Sequence, residues 1–152
     1  MADDSFRKVL VDNRKARFEF EILEVYSAGL ALLGTEVKAI RAGRANLNDA
    51  FARIVDGEVL IYNMHITPLD SAGHFAHPPT RTRRLLLKRK EINRLIGRVE
   101  EKGLTLVPLK LYLDRNWIKI DIGLARGKKL YDKRESIKER ESKRDIERAM
   151  RR

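Results

Sequence analysis

Between positions 117 and 125 apolar residues fall on every second position: Ile118, Ile120, Ile122 and Leu124 share one face, Lys119 and Asp121 the other. A period of two marks a half-buried strand, and it restricts the chain to folds in which such strands pair. The pattern recurs. Phe18, Phe20 and Ile22 alternate with Glu19 and Glu21, which predicts a first strand from Arg17. Ala28-Gly29 is then expected to turn the chain into a second strand over residues 30–33. Residues 50–55 and 58–64 flank Asp56-Gly57, the strongest short hairpin signal in the chain. Residues 104–113 are mostly apolar, and Pro108 within them predicts an edge or a bulge. Asp114-Arg115-Asn116 is the turn into the last strand.

Helical spacing is confined to short stretches. Thr35 is a suitable N-cap for residues 36–41, with Val37 and Ile40 facing inward and Gly43 as the stop. Ile92, Leu95, Ile96 and Val99 predict an amphipathic helix over residues 88–102, closed by Gly103. Residues 1–16 read as a polar arm along the body, and residues 67–83 as a long loop. Five or six short strands without strand–helix alternation give a mainly β fold. The expectation is a small antiparallel OB-like β-barrel with two or three helices.

The strand pattern stops at Ala125. Residues 126–152 hold 12 Lys or Arg against 6 Asp or Glu, over half of the formal net charge of +11. Their few apolar residues cannot offset the entropy of folding alone, yet Glu139–Lys143 and Glu147–Arg151 are helix-compatible pairs. The chain therefore divides into a body, 1–125, and a basic C-terminal tail, 126–152, disordered or helical by context. The body is basic as well, so the expected partner is phosphate-rich, nucleic acid before membrane. No stretch approaches the roughly 20 apolar residues that span a bilayer.

No cysteine is present, which excludes disulfides and thiolate metal sites. The first 17 residues lack an apolar signal region, and a cytoplasmic location is expected. His74 and His77 have an H-x-x-H spacing without nearby carboxylate or thiol ligands; His65 lies near a strand end. Nucleophile, zinc and P-loop motifs are absent. Neither enzymatic activity, nor a metal, nor a cofactor is expected.

Candidate RNA contacts form four groups. Asn13, Arg14, Lys15 and Arg17 lie before the first strand; Glu36, Val37, Lys38, Arg41 and Arg44 surround the short helix. Arg81, Arg83 and Arg84 close the long loop, and Lys119 leads towards Arg126-Gly127-Lys128-Lys129. Arginine suits bidentate phosphate contact, and lysine acts as a point charge. Phe75 and Tyr131 lie outside the periodic elements and are candidates for base stacking.

Several segments carry a resemblance: NRKARFEFEI, GLALLGTEVKAIRAG with NLNDAF, NMHITP, RTRRLLLKRKEI and IGLARGKKLYDKR, in that order from Asn13. The chain resembles the SsrA-binding (SmpB) family, partners of transfer-messenger RNA (tmRNA) in bacterial ribosome rescue by trans-translation. The resemblance implies an OB-like barrel that binds the tRNA-like domain of tmRNA and stands in for an anticodon arm on a stalled ribosome. It implies a tail that folds into a helix along the empty mRNA channel. Asn13, Glu36, Lys38, Leu86 and Lys119 match positions on the family's RNA-binding side. Gly127, Lys128, Lys129, Tyr131, Asp132, Lys133 and Arg134 match the junction at the decoding centre of the small-subunit rRNA, and Met150 is retained further on. Ser27 departs from a glutamate, and Ala149 from a bulkier apolar residue. The partners implied are tmRNA and the ribosome, with the protein a monomer in the RNA complex. The alternative is a general basic ribosome-associated protein or RNA chaperone.

Overall fold

A computed structural model describes residues 7–128 except 71, 72, 74 and 75. The expectations for Lys129, Tyr131, Asp132, Lys133, Arg134 and Met150, the rest of the tail, His74 and Phe75 lie outside the described residues. The elements run β1 (Arg7–Asp12), α1 (Arg14–Glu19), β2 (Phe20–Leu30), α2 (Gly34–Arg41), β3 (Ala45–Asn46), β4 (Phe51–Val55) and β5 (Glu58–Tyr62). They continue with β6 (His65–Ile66), β7 (Arg83–Leu86), α3 (Arg89–Lys102), β8 (Thr105–Asp114) and β9 (Trp117–Gly127).

Six strands close an antiparallel ring in the order β8-β4-β5-β7-β2-β9 and back to β8. The mainly β, OB-like expectation holds. Inside the ring lie Val59, Ile61, Leu106, Leu111, Ile120, Ile122 and Leu124, all buried. A second, smaller core sits outside it, where Ala16 of α1 packs on Val107, Leu109 and Ala125 beside Phe20 and Ile22. β9 tolerates this second cover because its outer positions are small there. A Cβ on Gly123 would lie 3.2 Å from both Ile22 Cγ2 and Leu109 Cδ1.

The Asp56-Gly57 hairpin forms as expected, with φ of 51° and 76°, the left-handed pair that matches strand twist. α3 forms too, ending on Gly103 at φ 61°, and Arg94 ties it to Glu24 of β2 at 3.1 Å. Pro108 marks a bulge, since the β8–β9 register shifts between Pro108 and Lys110.

Four local expectations are corrected. Residues 7–12 are not an arm but strand β1, paired along β8 from Arg7↔Asp114 to Asp12↔Lys110. The alternation at Phe18 and Phe20 straddles two elements: Asn13 caps α1, Phe18 on that helix is 56% exposed, and the strand begins only at Phe20. Ala28-Gly29 does not turn. β2 runs straight through it because Gly29 has a strand on each side, Leu86 and Lys119 being its partners. α2 starts at Gly34, one residue before Thr35, with Leu33 as N-cap. Ala39 and Ile40 are its buried apolar positions, whereas Val37 is only partly covered.

Among the described residues no helix is long and apolar enough to cross a membrane, and no three His, Asp or Glu side chains converge as metal ligands.

Candidate nucleic-acid interface

The two-residue turn at Arg115-Asn116 sets the register of β8 against β9, which places Tyr112 opposite Lys119. Lys119 pairs in turn with Gly29 of β2, and Gly29 with Leu86 of β7, while Tyr112 pairs with Val9 of β1. Partners across a ladder point the same way. Leu86, Gly29, Lys119, Tyr112 and Val9 therefore form one lateral row on the outside of the ring, about 19 Å long at roughly 4.8 Å per strand. Leu86 is 48% exposed and Val9 is also open to solvent. Trp117 shares the face of Lys119 and is 74% exposed, the largest open aromatic among the described residues.

A second row lies beside the first: Ser27 pairs with Asp121, Asp121 with Lys110, and Lys110 with Asp12. Lys110 Nζ stands 3.6 Å from Asp121, and Arg17 of α1 stands 3.0 Å from Asp12. Ser27 shares a hydrogen bond with the Tyr112 hydroxyl. Burial pushes that phenol above its ordinary pKa, and the Arg7 guanidinium lies 5.0 Å from the ring centroid. At Ser27, the position of the departure, a hydroxyl rather than a carboxylate thus faces Asp121.

Asn13 is at the centre of a buried knot. Its side-chain oxygen accepts from the Ala16 N–H and caps α1, while its Nδ2 donates to Pro108 O at 2.8 Å and Leu47 O at 3.2 Å. The bulge at Pro108 is what turns that carbonyl toward it. Asn13 is thus placed to orient α1, whose Arg14, Lys15 and Arg17 are exposed, rather than to face solvent. Replacement by alanine removes a helix cap and a donor to two carbonyls. We expect a loss of about 2–4 kcal/mol in urea unfolding; a loss under about 0.5 kcal/mol would contradict the knot.

Glu36 and Arg83 are likewise inside, beneath α2. Glu36 Oε1 accepts from Arg81 Nη2 at 2.6 Å and from the Leu33 N–H at 2.8 Å. Its Oε2 accepts from Arg83 Nε, and Arg83 also donates to Met64 O at 2.7 Å and Pro79 O at 3.3 Å. Neither the Glu36 nor the Arg83 side chain has any exposed area. As folded, this pair positions its neighbours: α2 carries Lys38 and Arg41 outward, and Arg41 Nη2 donates to Asn116 O at 2.9 Å beside Trp117. His77 is also structural, held by Thr35 Oγ1 at 3.0 Å and Ile66 O at 2.8 Å, whereas His65 is exposed near Thr67.

Of the predicted residues, the fold thus gathers Leu86, Lys119, Arg17 and Arg41 around one face, with Arg14 and Lys15 on the neighbouring α1. Arg84 shares the outer side of β7 with Leu86 and pairs with Glu58 at 3.3 Å. Lys15 pairs loosely with Asp49. Sequence reasoning passed over Tyr112, Gly29 and Trp117. The first was recoverable, because a two-residue turn at Arg115-Asn116 dictates the pairing with Lys119. β9 also outruns the expected boundary at Ala125: Phe20 pairs with Gly127, and the Lys128 N–H donates to Glu19 O at 2.9 Å. Gly127 and Lys128 are therefore anchored where α1 meets β2.

A small closed sheet with a basic, partly aromatic outer face defines a class, that of compact β-proteins built to receive a polyanion. The comparisons give the particular family. Residues 10–152 match the model of the SmpB protein. The chain is 79% identical over 152 residues to the SsrA-binding protein of Gloeobacter violaceus, covering all of both chains. It is 64% identical over 146 residues to the SsrA-binding protein of Acaryochloris marina, covering 95% of each. A solved structure described as "tmRNA-SmpB: a journey to the center of the bacterial ribosome" superposes with a TM-score of 0.67 at 48% identity, over 84% of this chain and 93% of that one. The chain belongs to the SmpB family.

Proposed function

We propose that this protein binds the tRNA-like domain of tmRNA and delivers it to stalled ribosomes for trans-translation. It is not an enzyme in this reading: it works in the cytoplasm as an RNA-bound monomer, with no cofactor. The observation that carries the reading is the lateral row of Leu86, Gly29 and Lys119, flanked by the exposed Trp117 and backed by the buried Tyr112, on a chain of this family. Leu86 offers an apolar shelf, Lys119 a cation, and Trp117 a ring on which an unpaired base stacks. Gly29 keeps the shelf low; a Cβ there would press within 3.3 Å of Leu86 Cβ. Around the row, Arg14, Lys15, Arg17, Lys38 and Arg41 neutralise phosphates, while Asn13, Glu36 and Arg83 hold the elements that carry them. The tail, 126–152, acts on the ribosome, with Gly127 to Arg134 at the decoding centre and Met150 further along the mRNA channel.

A competition gel-shift between tmRNA and bulk tRNA tests this reading. The wild type should prefer tmRNA, and Leu86→Ala with Lys119→Ala should weaken tmRNA binding about 10–100-fold. Equal competition by bulk tRNA would instead support a general ribosome-associated protein or RNA chaperone.

A further inference from the structure

Beyond Leu86, at the far end of the lateral row, the Asp56-Gly57 turn, β7 and the start of α3 enclose an open cleft of about 180 Å³. Gly57, Glu58, Arg84, Leu86, Arg89 and Ile92 line it. Two arginines reach this cleft from different elements. Arg89 is held by one hydrogen bond, Nη1 to Gly57 O at 3.0 Å, which uses one of its five N–H donors. Gly57 is what admits it, since a Cβ there would lie 3.3 Å from Arg89 Nη1. Arg84 is engaged by Glu58 at 3.3 Å, but both side chains are about half exposed (52% and 51%). A pair so open to water is weak, and a competing phosphate can replace the carboxylate. Lys88 and Lys90 flank the cleft and are exposed. The nearest acids are Asp56 of the turn, Glu58 and Glu91, and Glu91 is already engaged in capping α3 through the Lys88 N–H at 3.1 Å.

We propose that this cleft is a binding site for one RNA backbone phosphate, held by Arg84 and Arg89. RNA lying along the outer row from Lys119 over Gly29 and Leu86 reaches it next. A guanidinium is a planar fork of N–H donors suited to bidentate phosphate contact, and two of them line the cleft. The assignment rests on the tmRNA-binding reading and extends its contact surface by a residue, Arg89, that sequence analysis did not select.

The test is the salt dependence of tmRNA binding by the full-length protein. Neutralising one phosphate contributes about one unit to the slope of log K against log salt. Arg84→Ala with Arg89→Ala should lower affinity about tenfold at physiological salt and flatten the slope by about one unit. Arg84→Lys with Arg89→Lys should keep the slope while losing part of the affinity. Both substituted side chains are exposed, so the thermal midpoint should be close to wild type, and a lost midpoint is resolved by the lysine pair, which keeps the charges. Wild-type affinity and slope in the alanine variant would overturn the site. So would weaker binding at an unchanged slope, since the contact would not then be with phosphate. If Leu86→Ala with Lys119→Ala also binds normally, the failure belongs to the tmRNA reading of the whole face; if only that variant binds weakly, it belongs to the cleft alone.

Discussion

Replacement of Glu36 by glutamine is expected to destabilise the protein by about 3–5 kcal/mol, the usual cost of leaving a buried charge without its partner. The thermal midpoint should fall by roughly 6–20 °C. Arg83 has no exposed area, and apart from Glu36 its hydrogen bonds go to the carbonyls of Met64 and Pro79 rather than to a second carboxylate. Removing both charges, Glu36→Gln with Arg83→Met, should cost less than the sum of the two single changes, because neither charge is then stranded. A glutamine variant that melts within about 2 °C of wild type would refute this account. The same pair sets a pH dependence. Burial opposes ionisation of Glu36, but hydrogen bonds from Arg81, the Leu33 N–H and Arg83, with the Arg83 charge, outweigh it and hold the carboxyl below its ordinary pKa. A carboxylate with a lowered folded pKa contributes stability in full above its unfolded value, and that contribution is lost as pH falls through the folded one. Wild type should therefore lose stability, as pH falls through and below the ordinary carboxylate range, more steeply than the glutamine variant.

A chain ending at Lys128 should bind tmRNA with wild-type affinity at about 0.15 M salt, yet give only background tagging on stalled ribosomes. The cut falls after Lys128 rather than after Ala125 because β9 pairs with β2 as far as Phe20↔Gly127. A shorter chain would disturb the sheet edge beside α1 and confuse a folding defect with a functional one. Moderate salt matters, since the removed segment, 129–152, carries 10 basic against 6 acidic residues and attracts any RNA at low salt. Tagging at the wild-type level would reject the ribosomal role of the tail. Weakened tmRNA affinity would move the tail into the tmRNA site.

Periodicity was enough for β9 and α3, the Asp56-Gly57 signal for β4 and β5, and the apolar run for β8, which is covered on both faces. The turn chemistry at Asp56-Gly57 and Gly103 was equally local. Basic composition and the ordered family segments pointed to RNA without any coordinates. What sequence could not supply was direction. Asn13, Glu36 and Arg83 look in the chain like the polar residues of an RNA face, and a carboxylate beside arginines reads the same whether buried or wet. Only the closure of the ring beneath α2 turned Glu36 and Arg83 toward each other, and only the bulge at Pro108 brought a carbonyl within 2.8 Å of Asn13. Gly29 shows the converse. Next to Ala28 it resembles a turn, but strands on both sides hold it extended, and its missing Cβ becomes the low point of the outer row. Period, turn chemistry and charge are local properties, and they were enough for β4, β5, β8, β9, α3 and the basic character of the chain, but not for β1, α1 or the length of β2. Which polar residues are buried and which lie open on the surface follows only from the packed fold, because burial depends on contacts between residues as far apart as Asn13 and Pro108.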